Sequence, residues 1–378
     1  MSDDFLWWRD GIIYQIYPRS FADSNADGIG DLNGITARLD YLQDLGIDAI
    51  WLSPINPSPD VDFGYDVADY LDIDPKFGTM ADFDRLLAEA HGREIRIVLD
   101  LVLNHTSDRH PWFQQARSGR DNPYRDWYIW SDPAPGGSPP NNWASRFGGS
   151  GWELDPATGQ YYFHMFYKEQ PDLNFRNPAV RQAVLDVFRF WLEKGVDGFR
   201  LDVFNVYYKD ADFRPNPARI GLIGWDRQFH RYDYDQPEML PMLADIRALL
   251  DSYPERYAVG ETFEASPAQA AAYTGADRLH ATFNFRFTGC PWQPRCFLKA
   301  VQDWESALSV DDWPNYVLNN HDVPRSATRF GAGENDERLK VAATMLLTLR
   351  GTPFLYYGEE IGMRDISLPR AEILDPVG

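Results

Sequence analysis

The chain has 378 residues and a formal net charge of −21, with 44% hydrophobic and 15% aromatic residues. This composition supplies a large hydrophobic core and excludes intrinsic disorder. The acidic excess argues against nucleic acids and anionic membranes as partners, because both carry charge of the same sign.

Eight short apolar runs, each bounded by turn residues, alternate with amphipathic helical segments along the chain. The runs cover residues 12–18, 49–54, 95–103, 196–202, 257–261, 279–285, 316–320 and 353–359. The helical segments include 35–45, 80–90, 178–194, 238–252 and 338–349. Apolar strands separated by crossover helices are typical of a parallel sheet that is buried on both faces. Eight such strands predict an α/β fold, a closed (β/α)8 barrel, rather than an open doubly wound sheet.

The connection between the third and fourth runs is unusually long. Residues 104–172 are rich in Gly, Pro, Asn, Trp and Tyr and show little helical periodicity. Because long structureless loops are uncommon in compact domains, we expect an inserted small domain here. The predicted organisation is a barrel built from residues 1–103 and 173–378, with the inserted domain at 104–172. The aromatic segment 152–166 is interpreted as the core of that inserted domain.

Charged side chains concentrate at the ends of the predicted strands. Arg200 and Asp202 close the fourth run, and at positions i and i+2 of a strand they share one face. A guanidinium beside a carboxylate keeps that carboxylate ionised, which suits a nucleophile. Glu261 closes the fifth run without a basic sequence neighbour, which suits a general acid, and His321-Asp322 follow the seventh run.

The carboxyl ends of barrel strands meet at one face, which is where the active site of this fold lies. Acids that converge there beside many aromatic residues predict a sugar site, since rings stack on pyranose faces and carboxylates bind hydroxyls. Two carboxyl groups can cleave a glycosidic bond, one as nucleophile and the other as general acid and then base. Asp202 suits the first role, Glu261 the second, and Asp322 would hold sugar hydroxyls.

A second cluster of polar residues, between Asp23 and Asp31, follows the first run. It has oxygen-bearing side chains at alternate positions and Gly28 at the sixth position, as in an EF-hand loop. The pattern departs from the EF-hand at Gly34, which stands where a bidentate Glu belongs. From the pattern alone, a tight Asx-rich turn and a metal site are equally good interpretations.

The two cysteines and the N-terminus bear on the cellular compartment. Cys290 and Cys296 lack metal-site spacing, and two reduced thiols are the favoured interpretation over a disulfide. Residues 1–5 lack the basic and apolar regions of a secretory signal, and the longest apolar runs are too short to span a bilayer. We therefore expect a cytoplasmic protein with no membrane partner.

Five short blocks carry a resemblance to a known family. Residues 100–105 (DLVLNH), 198–202 (GFRLD), 260–261 (GE) and 320–322 (NHD) resemble the four conserved regions of the α-amylase family of glycoside hydrolases. Residues 170–174 (QPDLN) resemble the extra region of its oligo-1,6-glucosidase and α-glucosidase branch. The likeness implies a (β/α)8 barrel, a B domain inserted after the third strand, and a retaining mechanism on α-glucosides.

The resemblance also implies roles for individual residues. It places the nucleophile at Asp202, the acid/base at Glu261 and a third carboxylate at Asp322, and it places Asp100 beneath the site as a brace for Arg200. The residues implied to hold the terminal glucose are Asp62, Tyr65, His105, Arg200 and His321. Such a pocket implies an exo-acting α-glucosidase for short oligosaccharides. Val203 after the nucleophile implies a preference for α-1,6 bonds.

The loop after the first run resembles one that holds a structural Ca2+ or Mg2+ in this branch. The implied ligands are the side chains of Asp23, Asn25, Asp27 and Asp31 and the carbonyl of Ile29. No organic cofactor is expected, and the expected partner is a small oligosaccharide substrate.

Two other functions and one question of length accompany this interpretation. A sucrose isomerase or transglucosylase would use the same glucosyl-enzyme intermediate, and product analysis would separate it from a hydrolase. A non-catalytic scaffold, like the heavy subunits of amino-acid transporters, fits poorly because all three acids are present. Residues 361–378 are too few for the eighth helix and the β-sandwich that end this family, so the resemblance implies a partial chain that lacks both.

Overall fold

Eight parallel strands form the central sheet of the structure, a computed structural model that describes residues 5–283, 285–331, 336–370 and 373. In chain order the strands are β1 (Ile13–Ile16), β2 (Ala49–Leu52), β3 (Arg96–Leu101), β4 (Trp130–Ser131), β5 (Trp152–Asp155), β6 (Gln160–Phe163), β7 (Gly198–Leu201), β8 (Tyr257–Gly260), β9 (Ala281–Thr282), β10 (Asn315–Val317) and β11 (Thr352–Tyr356). All except β4, β5 and β6 belong to the central sheet. Each predicted run overlaps one of its strands, although β10 and β11 each begin one residue before their runs and position 284 of the sixth run lies outside the described residues. The predicted (β/α)8 fold class is confirmed.

The central sheet is nearly closed, with the hydrogen-bonded order β10-β11-β1-β2-β3-β7-β8-β9. Among the described residues no ladder joins β9 to β10, and β9 is only two residues long. Side chains bridge this gap instead. The Thr288 hydroxyl donates to the Val317 carbonyl of β10 at 2.7 Å, and the Phe287 ring packs against the Tyr316 ring of β10 with centroids 5.1 Å apart.

Helices surround the sheet and alternate with its strands. They are α1 (Trp7–Asp10), α2 (Pro18–Phe21), α3 (Leu32–Thr36), α4 (Leu39–Leu45), α5 (Met80–His91), α6 (Pro111–Arg117), α7 (Pro178–Lys194), α8 (Met239–Asp251), α9 (Pro267–Ala271), α10 (Phe285–Thr288), α11 (Pro294–Ala307), α12 (Ser326–Phe330) and α13 (Glu337–Thr348), with 3-10 turns at Arg125–Trp127, Phe204–Val206 and Trp225–Arg227. Local signals fix the ends of α7, because Asn177 caps its first turn and Gly195 follows it with φ 103°. The predicted helix at 35–45 is instead two helices, α3 and α4.

A small antiparallel sheet, in the order β4-β6-β5, occupies the long connection between β3 and β7. Aromatic residues of this connection, among them Trp143, Trp152 and Phe163, form a buried cluster with Val206 and Trp225 from the segment after β7. The connection therefore packs on the carboxyl-end face of the barrel. The division of the chain at 104–172 stays a prediction.

The structure overturns the interpretation of the cysteines. Cys290 and Cys296 are joined in a disulfide, with Cα atoms 5.7 Å apart, so the prediction of two reduced thiols is wrong. The α11 helix brings Cys296 back toward Cys290, which a count of intervening residues does not reveal.

Two further expectations concern membranes and the chain ends. In the described part of the chain, none of the helices combines the length and apolarity that a membrane crossing requires. The expectation that residues 1–5 contain no secretory signal concerns mostly residues 1–4. The expectation that the eighth helix and the β-sandwich are missing concerns partly residues 371–372 and 374–378. These residues lie outside those described.

Candidate active site

A cavity of about 380 Å³ opens at the carboxyl ends of the barrel strands. Its lining residues are Asp62, Tyr65, His105, Arg146, Phe147, Phe166, Asp202, Val203, Glu261, Phe263, His321 and Asp322. The three predicted catalytic acids and four of the five predicted glucose-binding residues are therefore brought together in one place. The fifth, Arg200, is only 1% exposed at its side chain and lies beneath the cavity.

Arg200 contacts three carboxylates at the floor of the cavity. Its Nη1 lies 2.7 Å from Asp100 Oδ1 and 2.6 Å from Asp202 Oδ1, and its Nη2 contacts Glu261 Oε2. Glu261 has no basic neighbour in the sequence, but in the folded chain it contacts Arg200. The register explains the contact, because Leu201 of β7 lies opposite Gly260 of β8 and places the ends of both strands side by side.

Asp100 supports this arrangement from below. Its Oδ2 accepts hydrogen bonds from Trp51 Nε1 at 3.2 Å and from the Tyr65 hydroxyl at 3.1 Å. Burial raises the pKa of this carboxyl, and Arg200 opposes that shift. Asp100 is absent from the cavity lining, as the resemblance implied for a brace of Arg200.

His321 lies between the floor and the cavity wall. Gln15 Nε2 lies 2.9 Å from His321 Nδ1, and the Tyr65 hydroxyl lies 2.7 Å from His321 Nε2. Because an amide nitrogen donates, these bonds assign the imidazole proton to Nε2. Burial lowers the pKa of His321, so the neutral ring stacks on Tyr65 at a centroid distance of 5.3 Å.

Gln170 forms hydrogen bonds with residues of the cavity wall that contains Asp62 and His105. Its amide donates to Asp62 Oδ2 at 2.7 Å and to the Tyr65 carbonyl at 3.1 Å, and the same carbonyl lies 2.8 Å from His105 Nε2. Burial raises the pKa of Asp62 to about 7, and the nearby charges of Asp66, Asp202 and Asp322 add to this shift. Burial lowers the pKa of His105. Ionisation of Asp62 is consequently costly in the folded protein.

The Asp62→Asn variant is expected to be more stable than the wild type at pH 8 and equal to it at pH 4. The folded-state pKa of about 7 lies above the usual 3.8, so wild-type stability falls as pH rises from about 4 to about 7. Removing the titrating group abolishes that loss, which is about 2–4 kcal/mol. Urea unfolding at both pH values measures the difference. The exposed Asp69→Asn variant serves as control, and equal stability of Asp62→Asn and wild type at pH 8 would contradict the argument.

Several cavity residues were not predicted as site residues. They are Arg146, Phe147, Phe166 and Phe263. Phe166 ends the segment interpreted as inserted-domain core, and it is 8% exposed yet borders the cavity. Phe263 follows Glu261 by two residues, a spacing that could have drawn attention to it. No motif in the sequence distinguishes Arg146 or Phe147.

Val203 borders the cavity directly after Asp202 and has φ 34° and ψ 40°. A β-branched residue is rare in this left-handed region, so the backbone here is strained. The turn directs the Val203 side chain into the aromatic cluster that includes Trp225. The residue after the predicted nucleophile is thereby fixed against the cavity wall.

The loop at 23–31 has the donor types of a hard-cation site. Its carboxylates accept backbone N–H bonds, with Asp23 bonded to Ala26 N at 2.7 Å and Asp31 bonded to Gly34 N at 2.7 Å. Among the described residues, no group of three or more His, Cys, Asp or Glu side chains is arranged to hold a metal ion. The predicted ligand set therefore stays a prediction. Its members are Asp23, Asn25, Asp27, Ile29 and Asp31.

Comparison with known proteins places this geometry in a family. A profile of the alpha-amylase catalytic domain matches residues 15–376. The chain belongs to the alpha-amylase family. A protein of Rhizobium meliloti (strain 1021) named "Probable alpha-glucosidase" is 47% identical over 100% of this chain and 71% of its own length. An oligo-1,6-glucosidase of Parageobacillus thermoglucosidasius is 45% identical over 97% of this chain and 67% of its own length.

A solved structure of an α-glucosyl transfer enzyme, XgtA, is also similar to this chain. Its TM-score is 0.95 at 46% identity, and the match covers 99% of this chain and 72% of that one. The matched relatives therefore share nearly the whole chain, which spans about 70% of their length. The predicted membership in the α-amylase family is confirmed, and with it the class of glycoside hydrolase.

Proposed function

We propose that this protein is a retaining, exo-acting α-glucosidase that removes terminal α-linked glucose from short oligosaccharides. The contact of Asp202 and Glu261 with the two terminal nitrogens of one guanidinium carries the proposal. Retaining glycosidases hold their two carboxyl groups about 5–5.5 Å apart, whereas inverting ones leave about 6.5–9.5 Å for a water. Two carboxylates that share Arg200 suit the shorter separation.

In the proposed mechanism Asp202 attacks the anomeric carbon while the glycosidic bond breaks. Glu261 gives its proton to the departing oxygen, and the glucosyl group is left on Asp202 as an ester. Glu261 then takes a proton from water, which displaces Asp202 and yields glucose with its original α configuration. The assignment of the two roles follows the positions of the family motifs. The reaction requires no organic cofactor.

The remaining wall residues suit the grip on a terminal glucose. Asp62 and Asp322 provide carboxylates for sugar hydroxyls, and the side chain of Asp322 is 55% exposed. Tyr65, His105 and His321 form a fixed wall of rings, since each is held by the hydrogen bonds described above. A cavity of about 380 Å³ suits a short substrate better than a long chain.

Isomaltose is expected to be cleaved at least as well as maltose, because Val203 presents a methyl-lined wall beside the leaving group. Val203→Thr replaces a methyl by a hydroxyl, and such a change is worth about 1–3 kcal/mol between competing substrates. We expect it to shift the ratio of the two kcat/KM values toward maltose by about tenfold or more. Initial rates of glucose release measure this ratio. A maltose preference that Val203→Thr leaves unchanged would place the determinant elsewhere.

Transfer of glucose to another sugar is the second candidate function. The similarity to an α-glucosyl transfer enzyme favours it, and sucrose isomerisation would use the same glucosyl-enzyme ester. Product analysis separates these activities. Free glucose from isomaltose and maltose supports hydrolysis, whereas isomaltulose or trehalulose from sucrose, or longer glucosides from maltose, would show that water is excluded from the intermediate.

We also propose that the loop at 23–31 binds a structural Ca2+ or Mg2+, since its donors are the oxygen ligands that both ions prefer. Either ion is expected to raise the Tm of EDTA-treated protein by a few degrees, because a ligand at a hundred times its Kd stabilises by about 2.7 kcal/mol. Asp27→Ala should abolish this shift, and the exposed Asp44→Ala should keep it. An identical Tm with EDTA and with both ions would reject the metal.

The cytoplasmic location stays a proposal, and the Cys290–Cys296 disulfide opposes it, because such bonds are rare in reducing compartments. Thiol titration of protein isolated from the native cell, with alkylation at lysis, tests it. Two free thiols would support the cytoplasm, and none would support an oxidising compartment.

A further inference from the structure

Arg146 is a cavity residue that the proposed mechanism does not use. It lies in the inserted segment, next to Phe147, and both residues line the cavity. Its backbone N–H donates to the Met165 carbonyl at 2.7 Å, which fixes the position of this segment of the chain. The residue is partly exposed. Its guanidinium is thus presented to the cavity from an anchored backbone.

The guanidinium of Arg146 packs on aromatic rings rather than on an acid. Its central carbon lies 5.7 Å from the ring centre of Phe263 and 5.9 Å from that of Trp225. Both distances are within the range of a cation–π contact. No hydrogen bond or ion pair joins this guanidinium to any residue in the described ranges.

An arginine packed on ring faces keeps its donors available. The guanidinium carries five N–H groups in one plane, and an aromatic carbon ring offers no oxygen or nitrogen acceptor to them. The edge can therefore donate to oxygen atoms of a ligand in the cavity. Lysine at this position would offer a single point of charge on a flexible stem instead.

The position of Phe263 indicates which part of the substrate Arg146 would meet. Glu261, as the proposed acid, must contact the oxygen that joins the terminal glucose to the rest of the substrate. Phe263 follows two residues later, and its N–H donates to Asn205 Oδ1 at 2.7 Å, which holds this turn in place. Because Arg146 packs on Phe263, we expect its guanidinium to lie beside the leaving group.

We propose that Arg146 determines substrate specificity by donating hydrogen bonds to the hydroxyl oxygens of the leaving sugar. This inference rests on the proposed α-glucosidase function and names the part of the substrate that this side chain recognises. It predicts selectivity for glucosides whose leaving group is itself a sugar. A substrate with no such group gains nothing from Arg146.

The test compares Arg146→Met, which keeps the length of the side chain, with wild type on isomaltose and on α-D-glucosyl fluoride. The fluoride has the same glucose and no sugar as leaving group. We expect kcat/KM for isomaltose to fall about tenfold to a hundredfold, since a hydrogen bond from a charged donor is lost. The value for the fluoride should stay within about twofold, which also shows that the variant is folded.

Two further variants complete the design. Arg146→Lys keeps the charge without the planar donor pair and should give an intermediate loss on isomaltose. Arg109→Met removes an arginine of the same inserted segment whose side chain is 74% exposed. This variant should leave kcat/KM unchanged for both substrates. Equal loss on both substrates, or no loss on isomaltose, would overturn the role of Arg146. If the wild type cleaved neither substrate, the proposed function would fail, and this inference with it.

Discussion

Asp202→Asn is expected to lower kcat on isomaltose by about four to six orders of magnitude while the protein stays folded. The amide can occupy the same space beside Arg200, but it cannot form the glucosyl ester. The residues expected to hold the terminal glucose are unchanged in this variant, so substrate binding should change far less than turnover. Steady-state kinetics, with circular dichroism to verify folding, measure both effects.

Azide gives an independent readout of the same role. In Asp202→Gly, which leaves that space empty, an external anion can attack the anomeric carbon from the face that the carboxylate occupied, and the product would be β-glucosyl azide. The exposed Asp212→Asn variant, on the segment after β7, should behave as wild type and exclude a general effect of lost charge. Turnover near the wild-type value in Asp202→Asn would remove Asp202 from the mechanism.

Arg200→Met is expected to lower the free energy of unfolding by about 3–5 kcal/mol at pH 8, because it leaves buried carboxylates without their cation. Asp100, Asp202 and Glu261 all contact this guanidinium. The deficit should shrink at pH 5, since burial raises the pKa of Asp100 and its protonation removes one of the stranded charges. Adding Asp100→Asn should recover part of the lost stability by removing one of the stranded charges.

Denaturant titrations of the single and double variants at both pH values measure this coupling. Arg189→Met provides the control, since its partly exposed ion pair with Asp186 should cost no more than about 1 kcal/mol. A pH-independent loss in Arg200→Met, with no recovery in the double variant, would show that lost packing rather than stranded charge causes the effect.

The barrel could be predicted from the sequence because its strands are buried on both faces. Every residue of β1, β2, β7 and β8 is buried, which produces the continuous apolar runs of the sequence. The break between α3 and α4 could not be predicted, because the apolar period continues across Thr36–Arg38. The disulfide was missed because pairing of Cys290 with Cys296 depends on how the chain folds back at the start of α11.

Reactive residues could be predicted where they lie at the ends of strands. Contacts between residues of neighbouring strands could not be predicted. Asp202 and Glu261 were identified because each closes an apolar run. Their common contact with Arg200 was not, since it depends on the register between β7 and β8. Arg146 and Phe147 reach the cavity from a segment with no periodic pattern, so only the folded chain reveals them.

Covalent trapping tests the central claim most directly. A ring-fluorinated α-glucosyl fluoride forms the glucosyl-enzyme ester but lets water hydrolyse it only slowly. The ester should therefore accumulate on the enzyme, where peptide mass spectrometry can locate it. We predict one label per chain, on the peptide that contains Asp202, with none in Asp202→Asn. A label on Glu261 or Asp322, or product released with the β configuration from unmodified isomaltose, would contradict the retaining mechanism proposed for this site.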